Sequence, residues 1–380
     1  MKPMTLKELD VAGKRVLMRV DFNVPFDGEG KISDDTRIRA ALPSIQNVLE
    51  RGGKVILMSH LGRPKGEVKP EWTLKPCAER LEKLLGEKVN FPEPGGGRLT
   101  LLENVRFHTG EEKPESDPGF VEGLAKLGDC YVNDAFGTAH RAHGSTTQLA
   151  TFFPGKAAMG LLLEKEVTFL GERLKEPKRP FYAIIGGAKI STKIGVIAAL
   201  LKKVDKLFIG GGMAYTFFKA QGIPIGESIH EDAFLDEARQ LMEDDKIVLP
   251  LDCVTTKGVV TFPEGISEGA EGMDIGPKTV EMLKRELPKA ETLLWNGPLG
   301  VFEMPAYAKG TQAVAQLLAG LESCRIIGGG DSVAAIQQAG LQERFTHLST
   351  GGGASLEFIE KGTLPGLDAL VLAKNSAPVL

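Results

Sequence analysis

The sequence contains few cysteines, and they do not form a metal-binding or disulfide pattern. Its four cysteines, Cys77, Cys130, Cys253 and Cys324, lie far apart, with no CxxC pair and no histidine at zinc-ligand spacing. We therefore expect neither a zinc site nor a disulfide framework. A reducing, cytoplasmic location is the corresponding expectation.

Long apolar runs and excess positive charge are also missing. No stretch approaches the roughly 18 apolar residues of a membrane span, and residues 1–16 lack the continuous apolar core of a signal peptide. We expect a protein that is neither secreted nor membrane-inserted. The formal net charge of -4 argues against a general nucleic-acid binder, so any phosphate chemistry must come from local basic clusters.

The 380 residues, 42% of them hydrophobic, suffice for two globular domains. Short branched apolar runs alternate with helix-period sequence, which is typical of βα units on parallel sheets. The predicted strands cover 15–20, 54–59, 99–103 and 129–133 in the first half, and 181–185, 206–209, 246–249, 291–295, 323–327 and 347–349 in the second. Leucines at helical spacing in 161–175, followed by Pro177, predict one long connecting helix at the domain junction. The tail after residue 362 is assigned to neither domain by its pattern.

Glycine-rich turns follow four predicted strands of the second half, at 186–187, 210–212, 328–330 and 351–353. Glycines let the backbone approach a ligand, and amides at the following helix N-terminus favour phosphate oxygens. Close packing alone is the alternative for any single turn. None of the four matches GxxxxGK[ST], none gives a clean GxGxxG, and no HRD loop precedes Asp21-Phe-Asn, so the usual P-loop, dinucleotide and protein-kinase signatures are absent.

The first half carries cations in the loops and helix starts that follow its strands. These residues are Arg37, His60, Arg63, Arg106, His140, Arg141 and His143. Arg37 stands in the first turn of a helix predicted to be capped at Ser33 or Asp34, where a cation opposes the helix dipole unless an anion binds. A solvated arginine and a structural histidine remain the alternatives. The HRAH segment lacks the ligands of a metal site, so anion binding is preferred.

Two lysines in the second half indicate an anion site. Lys189 and Lys193 are four apart at a predicted helix opening, and hence on one face, directly after Gly186-Gly187. A solvated lysine face is the alternative. Asp331 is the predicted ligand of a nucleotide-bound Mg²⁺, although Asp331 and Ser332 could instead only cap the helix that follows.

Eight motifs then occur in the order found in one family. They are 17–25 (LMRVDFNVP), 59–64 (SHLGRP), 102–107 (LENVRF), 133–137 (NDAFG), 186–189 (GGAK), 295–298 (WNGP), 328–331 (GGGD) and 349–353 (STGGG). Together they span nearly the whole chain. The sequence resembles phosphoglycerate kinases.

The resemblance implies a phosphotransferase of glycolysis, which moves a phosphoryl group from 1,3-bisphosphoglycerate to ADP with Mg²⁺ and gives 3-phosphoglycerate and ATP. It implies an α/β fold of two Rossmann-like domains with parallel sheets facing a central cleft and joined by a long helix. The first domain, 1–161 with tail 365–380, would bind the triose phosphate; the second, 162–364, would bind the nucleotide, with 162–176 as the connecting helix. The family also implies a monomer.

By motif match, the implied substrate-binding residues are Asp21, Asn23, Arg37, His60, Arg63, Arg106 and Arg141. The implied nucleotide-binding residues are Gly187, Ala188, Lys193, Gly211, Gly212, Asn296, Pro298, Gly300, Val301, Glu303, Gly329, Gly330, Asp331 and Ser332, with Asp331 at the metal. The implied catalytic residues are Arg37, Lys189, Lys193, Gly351, Gly352 and Gly353. In-line transfer between two domains predicts hinge closure that requires both substrates.

Two competing hypotheses belong to other classes. A nicotinamide dehydrogenase would need GxGxxG with an acidic residue roughly 20 positions on, and that pattern is absent. A catalytically silent binding protein on the same fold would be favoured by loss of Arg37, Lys193 or Asp331, and all three are present. The sequence departs from the family in shortened segments at 90–101 and 255–272 and in Ser332 where threonine is common.

Overall fold

A computed structural model describes residues 2–376 and divides the chain into two compact units. Unit 1 comprises residues 1–168 and 363–380, and unit 2 comprises 169–362. Each unit contains a six-stranded parallel sheet, so the predicted α/β class with two parallel sheets is confirmed. The boundaries fall a few residues from the predicted 161/162 and 364/365. Met1 and residues 377–380 of the predicted tail lie outside the described part.

The sheet of unit 1 has the order β1-β6-β5-β2-β3-β4. Its strands are β1 Met4–Thr5, β2 Arg15–Arg19, β3 Lys54–Met58, β4 Leu99–Leu101, β5 Cys130–Asn133 and β6 Ala157–Met159. All pairs are parallel, and Leu17 lies opposite Ile56 on one side and Tyr131 on the other. Order reverses between β2 and β5, and ligands of open α/β sheets collect beyond the carboxyl ends at such a point. The sequence missed β1 and β6, which are too short to show a strand period.

Helices surround this sheet. They are α1 Thr36–Glu50, α2 Lys75–Leu85, α3 Thr109–Glu112, α4 Pro118–Ala125 and α5 Leu161–Val167. The core packs β2 and β3 against α1 and α2, with Val16, Met18, Ile45, Leu57 and Leu81 all less than 2% exposed. Burial of both sheet faces explains why these strands read as continuous apolar runs rather than alternating ones.

The parallel sheet of unit 2 has the order β15-β14-β13-β7-β8-β9, which is the 3-2-1-4-5-6 arrangement of a Rossmann-type sheet in reverse listing. Its strands are β7 Phe181–Ile185, β8 Lys206–Ile209, β9 Ile247–Val248, β13 Thr292–Asn296, β14 Cys324–Gly328 and β15 His347–Leu348. The topological switch lies between β7 and β13, which pair in register with Ile185 opposite Asn296.

Unit 2 also contains a three-stranded antiparallel sheet that the sequence did not predict. It consists of β10 Asp252–Thr255, β11 Gly258–Thr261 and β12 Gly272–Ile275, with β10 in the centre. The β10–β11 hairpin and the return to β12 occupy the segment that departs in length from the family. The sequence does not signal this sheet, because its strands are only four residues long, and β11, the most exposed of the three, carries no buried residue.

Eight helices of unit 2 are present in the described part. They are α6 Arg173–Lys175, α7 Ile194–Leu201, α8 Met213–Ala220, α9 Leu235–Leu241, α10 Pro277–Glu286, α11 Lys309–Ala319, α12 Gly330–Gln338 and α13 Gly353–Lys361. Trp295 on β13 is fully buried at the centre of the core, beside Ile184 and Leu293. The glycine-rich turns predicted at 328–330 and 351–353 span the passages from β14 to α12 and from β15 to α13.

The predicted connecting helix at 161–175 is helical throughout but changes its hydrogen-bonding pattern along its length. Helix α5 passes into a π-helical segment at Thr168–Glu172 and then into the single turn of α6. The first turn of α5 is held by Asp134, whose Oδ1 accepts hydrogen bonds from the backbone N–H groups of Leu162 (2.9 Å) and Leu163 (3.2 Å). The prediction of one long helix over 161–175 is therefore confirmed, and the π-helical turn within it falls at the boundary between units 1 and 2 along the chain.

The tail forms helix α14, Pro365–Asn375, which packs in unit 1 against residues 148–152 and β6. All four cysteines are free thiols. Among residues 2–376, no helix combines the length and the apolar character that crossing a bilayer demands.

Candidate functional site

Arg37 lies in unit 1 at the second position of α1. Its Nη1 donates a hydrogen bond to Oδ2 of Asp21 at 2.8 Å, and its side chain is 36% exposed. The helix begins at Thr36 with Asp35 as the capping residue, and Asp35 makes no side-chain cap. The prediction of a cap at Ser33 or Asp34 was therefore wrong, although Oδ1 of Asp34 accepts from the backbone N–H of Thr36 at 2.8 Å. The predicted first-turn cation is present.

Asn23 ties the loop after β2 to the loop after β3. Its Oδ1 accepts a hydrogen bond from the backbone N–H of Gly62 at 3.0 Å, while the Gly62 carbonyl accepts from Nη1 of Arg106 at 2.8 Å. A Cβ at Gly62 would lie 2.3 Å from the Trp72 ring, and its φ is +61°. The turn thus requires glycine, and it links three predicted segments into one arrangement.

Buried basic side chains lie next to this arrangement. Arg106 is 5% exposed, with Nε 3.3 Å from Oε1 of Glu112, and burial lowers the pKa of its guanidinium. His60 is 4% exposed, and its pKa is held well below the usual value, chiefly by burial and then by Arg19. His143 is also buried, and desolvation together with Arg106 lowers its pKa to about 3. Both imidazoles are therefore neutral at physiological pH.

Arg63 and Arg141 differ from the other predicted residues of unit 1. Both side chains are exposed, and neither forms a hydrogen bond or ion pair within the described chain. Arg141 is close enough to Arg106 and His143 to depress their pKa values. His140 is half-buried. Hydrogen bonds thus join Asp21 to Arg37 and to Asn23, and Gly62 links Asn23 to Arg106. His60 lies 3.9 Å from Asp21, Arg141 is near enough to act electrostatically, and Arg63 has no bonded link within residues 2–376.

In unit 2 the predicted glycine turns converge at the switch point. The N–H of Gly187 donates to the Pro298 carbonyl at 2.9 Å, and the N–H of Met213 donates to the Gly187 carbonyl at 3.0 Å. A Cβ at Gly186 would lie 2.1 Å from the Pro298 oxygen. The turns after β7, β8 and β13 therefore touch backbone to backbone, which only glycine permits.

These turns border a cavity of about 300 Å³. Nine of the predicted nucleotide residues line it: Gly187, Ala188, Gly211, Gly212, Pro298, Gly300, Val301, Glu303 and Asp331. The sequence missed further lining residues, namely Tyr215, Ile229, Glu271, Gly272, Met273 and Leu299. Tyr215 lies in α8 and Met273 in β12, and sequence alone does not distinguish such positions from ordinary core positions.

The remaining predicted nucleotide residues lie around Asn296, at the end of β13. Its Oδ1 accepts a short hydrogen bond from the ammonium of Lys193, and its Nδ2 is buried without a partner within residues 2–376. Burial lowers the pKa of Lys193 to about 8, against the opposing effect of Asp331. Ser332 is buried, and its Oγ accepts from the N–H of Gly297 at 2.6 Å. Helix α12 begins at Gly330 with Gly329 as its N-cap and no side-chain cap, so the alternative in which Asp331 and Ser332 only cap that helix is wrong.

Lys189 and Lys193 do not share a helix face, so that prediction was wrong. Lys189 precedes a 3₁₀ turn at Ile190–Thr192 with extended backbone angles, and Lys193 precedes α7. Lys189 is exposed, whereas Lys193 turns inward to Asn296. The one-face argument assumed a continuous α-helix, and the 3₁₀ turn changes the angular spacing between the two residues.

Residues 351–353 form the N-terminus of α13. The helix begins at Gly353, Gly352 has a φ of +52°, and a Cβ at either position would meet nothing within 4 Å. The N–H of Gly351 donates to Oγ of Ser349 at 3.2 Å. This helix start is therefore open on its side-chain side and carries the amide donors that favour anions.

An enzyme that moves a phosphoryl group between an anionic ester and a nucleotide needs a cationic site and a backbone-lined one. The first unit carries the arginines and the second carries the glycine-lined cavity, and these features define a phosphotransferase. The family model of phosphoglycerate kinase matches residues 6–362. The chain belongs to the phosphoglycerate kinase family.

Relatives of known name agree with this assignment. The phosphoglycerate kinase of Pseudothermotoga lettingae is 48% identical over 99% of this chain and 100% of its own length. That of Koribacter versatilis is 51% identical over 97% and 99%. The solved phosphoglycerate kinase from Coxiella burnetii has a TM-score of 0.86 at 38% identity, covering 97% of this chain and 99% of that one. The structure from Pyrococcus horikoshii gives 0.84 at 31% identity, with the same coverage.

Family membership confirms the predicted activity. The chain is a phosphotransferase of glycolysis that interconverts 1,3-bisphosphoglycerate and ADP with 3-phosphoglycerate and ATP. The dehydrogenase hypothesis is thereby excluded.

Proposed function

We propose that unit 1 binds the triose phosphate and that unit 2 binds the nucleotide. The observation that carries this division is the glycine-lined cavity of unit 2, bordered by nine predicted nucleotide residues. Its volume suits part of a small ligand. Its backbone-lined walls favour phosphate oxygens, and its apolar residues favour a flat ring.

The triose phosphate would be held by Asp21, Asn23, Arg37, His60, Arg63, Arg106 and Arg141. Support comes from the bonded arrangement of the loops after β2 and β3, which orders Arg37 and Arg106 before any ligand arrives. Guanidinium groups bind carboxylate and phosphate through bidentate hydrogen bonds. The exposed Arg63 and Arg141 retain the freedom to close on an anion.

Asp331 fits a role at Mg²⁺ that arrives with the nucleotide. Its carboxylate is exposed, lines the cavity, and lies in the first turn of α12. No cluster of three or more acidic, histidine or cysteine ligands exists within residues 2–376, so a dedicated protein cage is not available. Mg²⁺ commonly takes one or two carboxylates plus phosphate oxygens and water. When bound, it would neutralise phosphate charge.

The chain's own residues would then act by position and charge. Phosphoryl transfer of this kind requires no covalent enzyme intermediate. Arg37, Lys189, Lys193 and the amides at 351–353 would stabilise negative charge on the migrating group. Because donor and acceptor would bind to different units, we propose that the units close about the connecting segment only when both substrates are present, which excludes water from the acyl phosphate. An unchanged radius of gyration in solution scattering with both substrates bound would contradict closure.

A coupled assay tests the residue assignment. The pure protein receives 3-phosphoglycerate and MgATP, and NADH oxidation is followed through glyceraldehyde-3-phosphate dehydrogenase. We expect Arg37→Ala to lower kcat/KM by roughly 100-fold or more, and Lys193→Ala to do the same. Arg39→Ala is the matched control, since Arg39 lies in the same helix but pairs with Asp35 at 2.9 Å. Full activity of Arg37→Ala would remove it from the site.

We also propose that the enzyme acts in the cytoplasm as a monomer. Free cysteines and the glycolytic reaction support the location. Light scattering at several protein concentrations tests the monomer: a mass near 40.8 kDa throughout supports it, and a concentration-independent dimer mass overturns it.

A further inference from the structure

Arg19, at the end of β2, is a fully buried cation that the sequence analysis did not single out. Its Nε donates to Oγ of Ser145 at 2.8 Å, and its Nη1 forms a short bond to the Val20 carbonyl. Its Nη2 lies 3.3 Å from Nδ1 of His60 and 3.6 Å from Oε1 of Glu111. Each of the three guanidinium nitrogens therefore contacts at least one group of the protein.

Glu111 and Ser145 hold this guanidinium in place. The Glu111 carboxylate, fully buried, accepts from the Ser145 backbone N–H at 2.9 Å and from its hydroxyl at 2.8 Å. The Ser145 carbonyl in turn accepts from the hydroxyl of Tyr131 at 2.7 Å. A buried ion pair is stable only when its remaining donors and acceptors are satisfied. The network therefore fixes Arg19 in one orientation.

The contact with His60 determines where the imidazole carries its proton. A guanidinium has only donors and no acceptor, so Nδ1 of His60 must be the acceptor. A neutral imidazole that accepts at Nδ1 carries its proton at Nε2. Nε2 has no hydrogen-bond partner within residues 2–376.

Asp21 is the competing partner. A carboxylate would accept from a protonated Nδ1 and so favour the other tautomer. Its Oδ1, however, lies 3.9 Å from Nδ1, beyond hydrogen-bond distance, and its Oδ2 is engaged by Arg37. The charged and titratable groups that face His60 are Arg19, Arg37, Arg106, His143 and Asp21, and the cations, together with burial, hold the ring neutral.

We propose that Arg19 is a positioning residue, which fixes His60 as the Nε2–H tautomer and thereby presents a hydrogen-bond donor to an anionic oxygen of the substrate. This rests on the proposed place of His60 in the triose-phosphate site. The role of Arg19 is indirect, because each of its three side-chain nitrogens already contacts a group of the protein. A doubly protonated His60 would have to place an N–H against the guanidinium, which the geometry opposes.

The test reads the tautomer directly. Long-range ¹H–¹⁵N spectra of the ¹⁵N-labelled full chain, without substrate, report which ring nitrogen of each histidine is protonated, and a His60→Gln sample identifies the His60 signals. We expect Nε2–H for His60 between pH 6 and 8. In Arg19→Met we expect an Nδ1–H population directed to Asp21. Arg15→Met, on the same strand but exposed and paired with Asp129, is the control and should change nothing.

Two results would overturn the proposal: Nδ1–H in the unmodified protein, or an unchanged tautomer in Arg19→Met. Should Arg19→Met fail to fold, Arg19→Lys keeps a cation opposite Glu111 but loses the planar reach, and the same expectation and the same refutation apply. In the coupled assay, the folded Arg19 variant should have a KM for 3-phosphoglycerate that is about tenfold higher or more, with the KM for ATP unchanged. Equal increases in both KM values would indicate a general disturbance of the structure and would count against a positioning role.

Addition of 3-phosphoglycerate separates this proposal from the site assignment. If His60 binds substrate, its Nε2 resonance shifts on titration. If the tautomer is as expected but Nε2 does not respond, the assignment of His60 to the substrate site fails. The Nε2–H group of His60 would then have no substrate oxygen as its acceptor. The two failures are therefore distinguishable in one series of spectra.

Discussion

The ammonium of Lys193 donates a hydrogen bond to the side-chain oxygen of Asn296, at the carboxyl end of β13 beside β7. The Lys193 ammonium is therefore buried beside the Asn296 side chain, whose Nδ2 has no hydrogen-bond partner within residues 2–376. A site that keeps a desolvated charge and an unsatisfied donor sacrifices stability, and such arrangements are commonly retained where a ligand completes them. Function and stability should therefore respond differently to changes here.

The first prediction concerns that difference. We expect Lys193→Met to lower kcat by roughly 100-fold or more. The free energy of unfolding should change by no more than about 1 kcal/mol, because the lost hydrogen bond is offset by removal of the buried charge. Asn296→Ala should lower unfolding free energy by about 2 kcal/mol, because the buried ammonium loses its acceptor. Denaturant unfolding and the coupled assay measure both.

A double-mutant cycle checks the coupling between the two side chains. We expect an interaction energy of about 1 to 3 kcal/mol. Lys202→Met, at an exposed lysine just beyond α7, serves as the control for loss of one positive charge. Additive effects of the two changes, within experimental error, would mean that the Lys193–Asn296 contact contributes nothing.

The second prediction concerns pH. Burial lowers the pKa of Lys193 to about 8, so in the free enzyme its charge is lost as the pH rises above 8. We expect kcat/KM for ADP to fall on this alkaline side, because the neutral amine no longer attracts phosphate. Bound phosphates favour the charged form, so the corresponding limb of kcat should lie at higher pH.

Substitution identifies the group responsible for that limb. Lys193→Arg, which stays charged, should lose the limb even if its overall rate is lower, whereas Lys202→Arg should retain it. A limb that persists unchanged in Lys193→Arg would assign the titration to another group.

Much of the architecture was predictable from local sequence. The apolar runs at β2, β3, β7 and β8 are buried on both faces of parallel sheets, so each run marks its own strand. The glycine turns were also predictable from single positions. The backbones at Gly186 and Pro298 are in contact, so position 186 has no room for a side chain and must be glycine.

The rest depends on contacts between distant residues. Arg19 and Glu111 are separated by more than 90 positions, and charged residues in a sequence look the same whether they are buried as a pair or solvated. Tyr215 lines the cavity from within α8, and its position reads as ordinary core. The two-residue strand β1 pairs with β6 at a sheet edge, where tertiary context rather than propensity decides.

The third prediction concerns the glycine wall of the cavity. Gly211 has a φ of +66°, and a Cβ there would lie 2.6 Å from the Gly187 nitrogen and 2.8 Å from the Pro298 oxygen. We expect Gly211→Ala to lower unfolding free energy by about 2 to 4 kcal/mol through backbone strain and displaced turns, and to weaken ADP binding. Calorimetric titration with MgADP measures the affinity.

Gly222 supplies the matched control. Its φ is +79°, but a Cβ there meets nothing within 4 Å. Gly222→Ala should therefore lose only the backbone term of about 1 to 2 kcal/mol and bind MgADP normally. Equal effects of the two substitutions would show that the turns can move apart without affecting the cavity.

The last prediction concerns Asp134, beneath the first turn of α5. Its carboxyl group is fully buried, and burial raises its pKa from 3.8 to about 7, against the hydrogen bonds from Ser44, Leu163 and Leu162 that favour the charged form. One of its oxygens, Oδ2, has no partner within residues 2–376. Because the folded pKa is the higher one, the folded state holds its proton over the range from about pH 4 to 7, where the unfolded state has released it. The stability that this group contributes is complete below pH 4 and is lost as the pH rises through 7.

Asp134→Asn removes that titration while keeping an oxygen that can accept from α5. The free energy of unfolding of the variant minus that of the unmodified protein should therefore increase by roughly 1 to 3 kcal/mol from pH 5 to pH 8. Denaturant unfolding at the two pH values measures this change. Asp236→Asn, with a side chain 92% exposed, controls for the loss of one carboxylate. A difference between Asp134→Asn and the unmodified protein that is the same at both pH values would mean that Asp134 is already ionised in the folded state at pH 5. The first turn of α5 would then be held by a buried anion, stabilised by the helix N-terminus more strongly than burial opposes it.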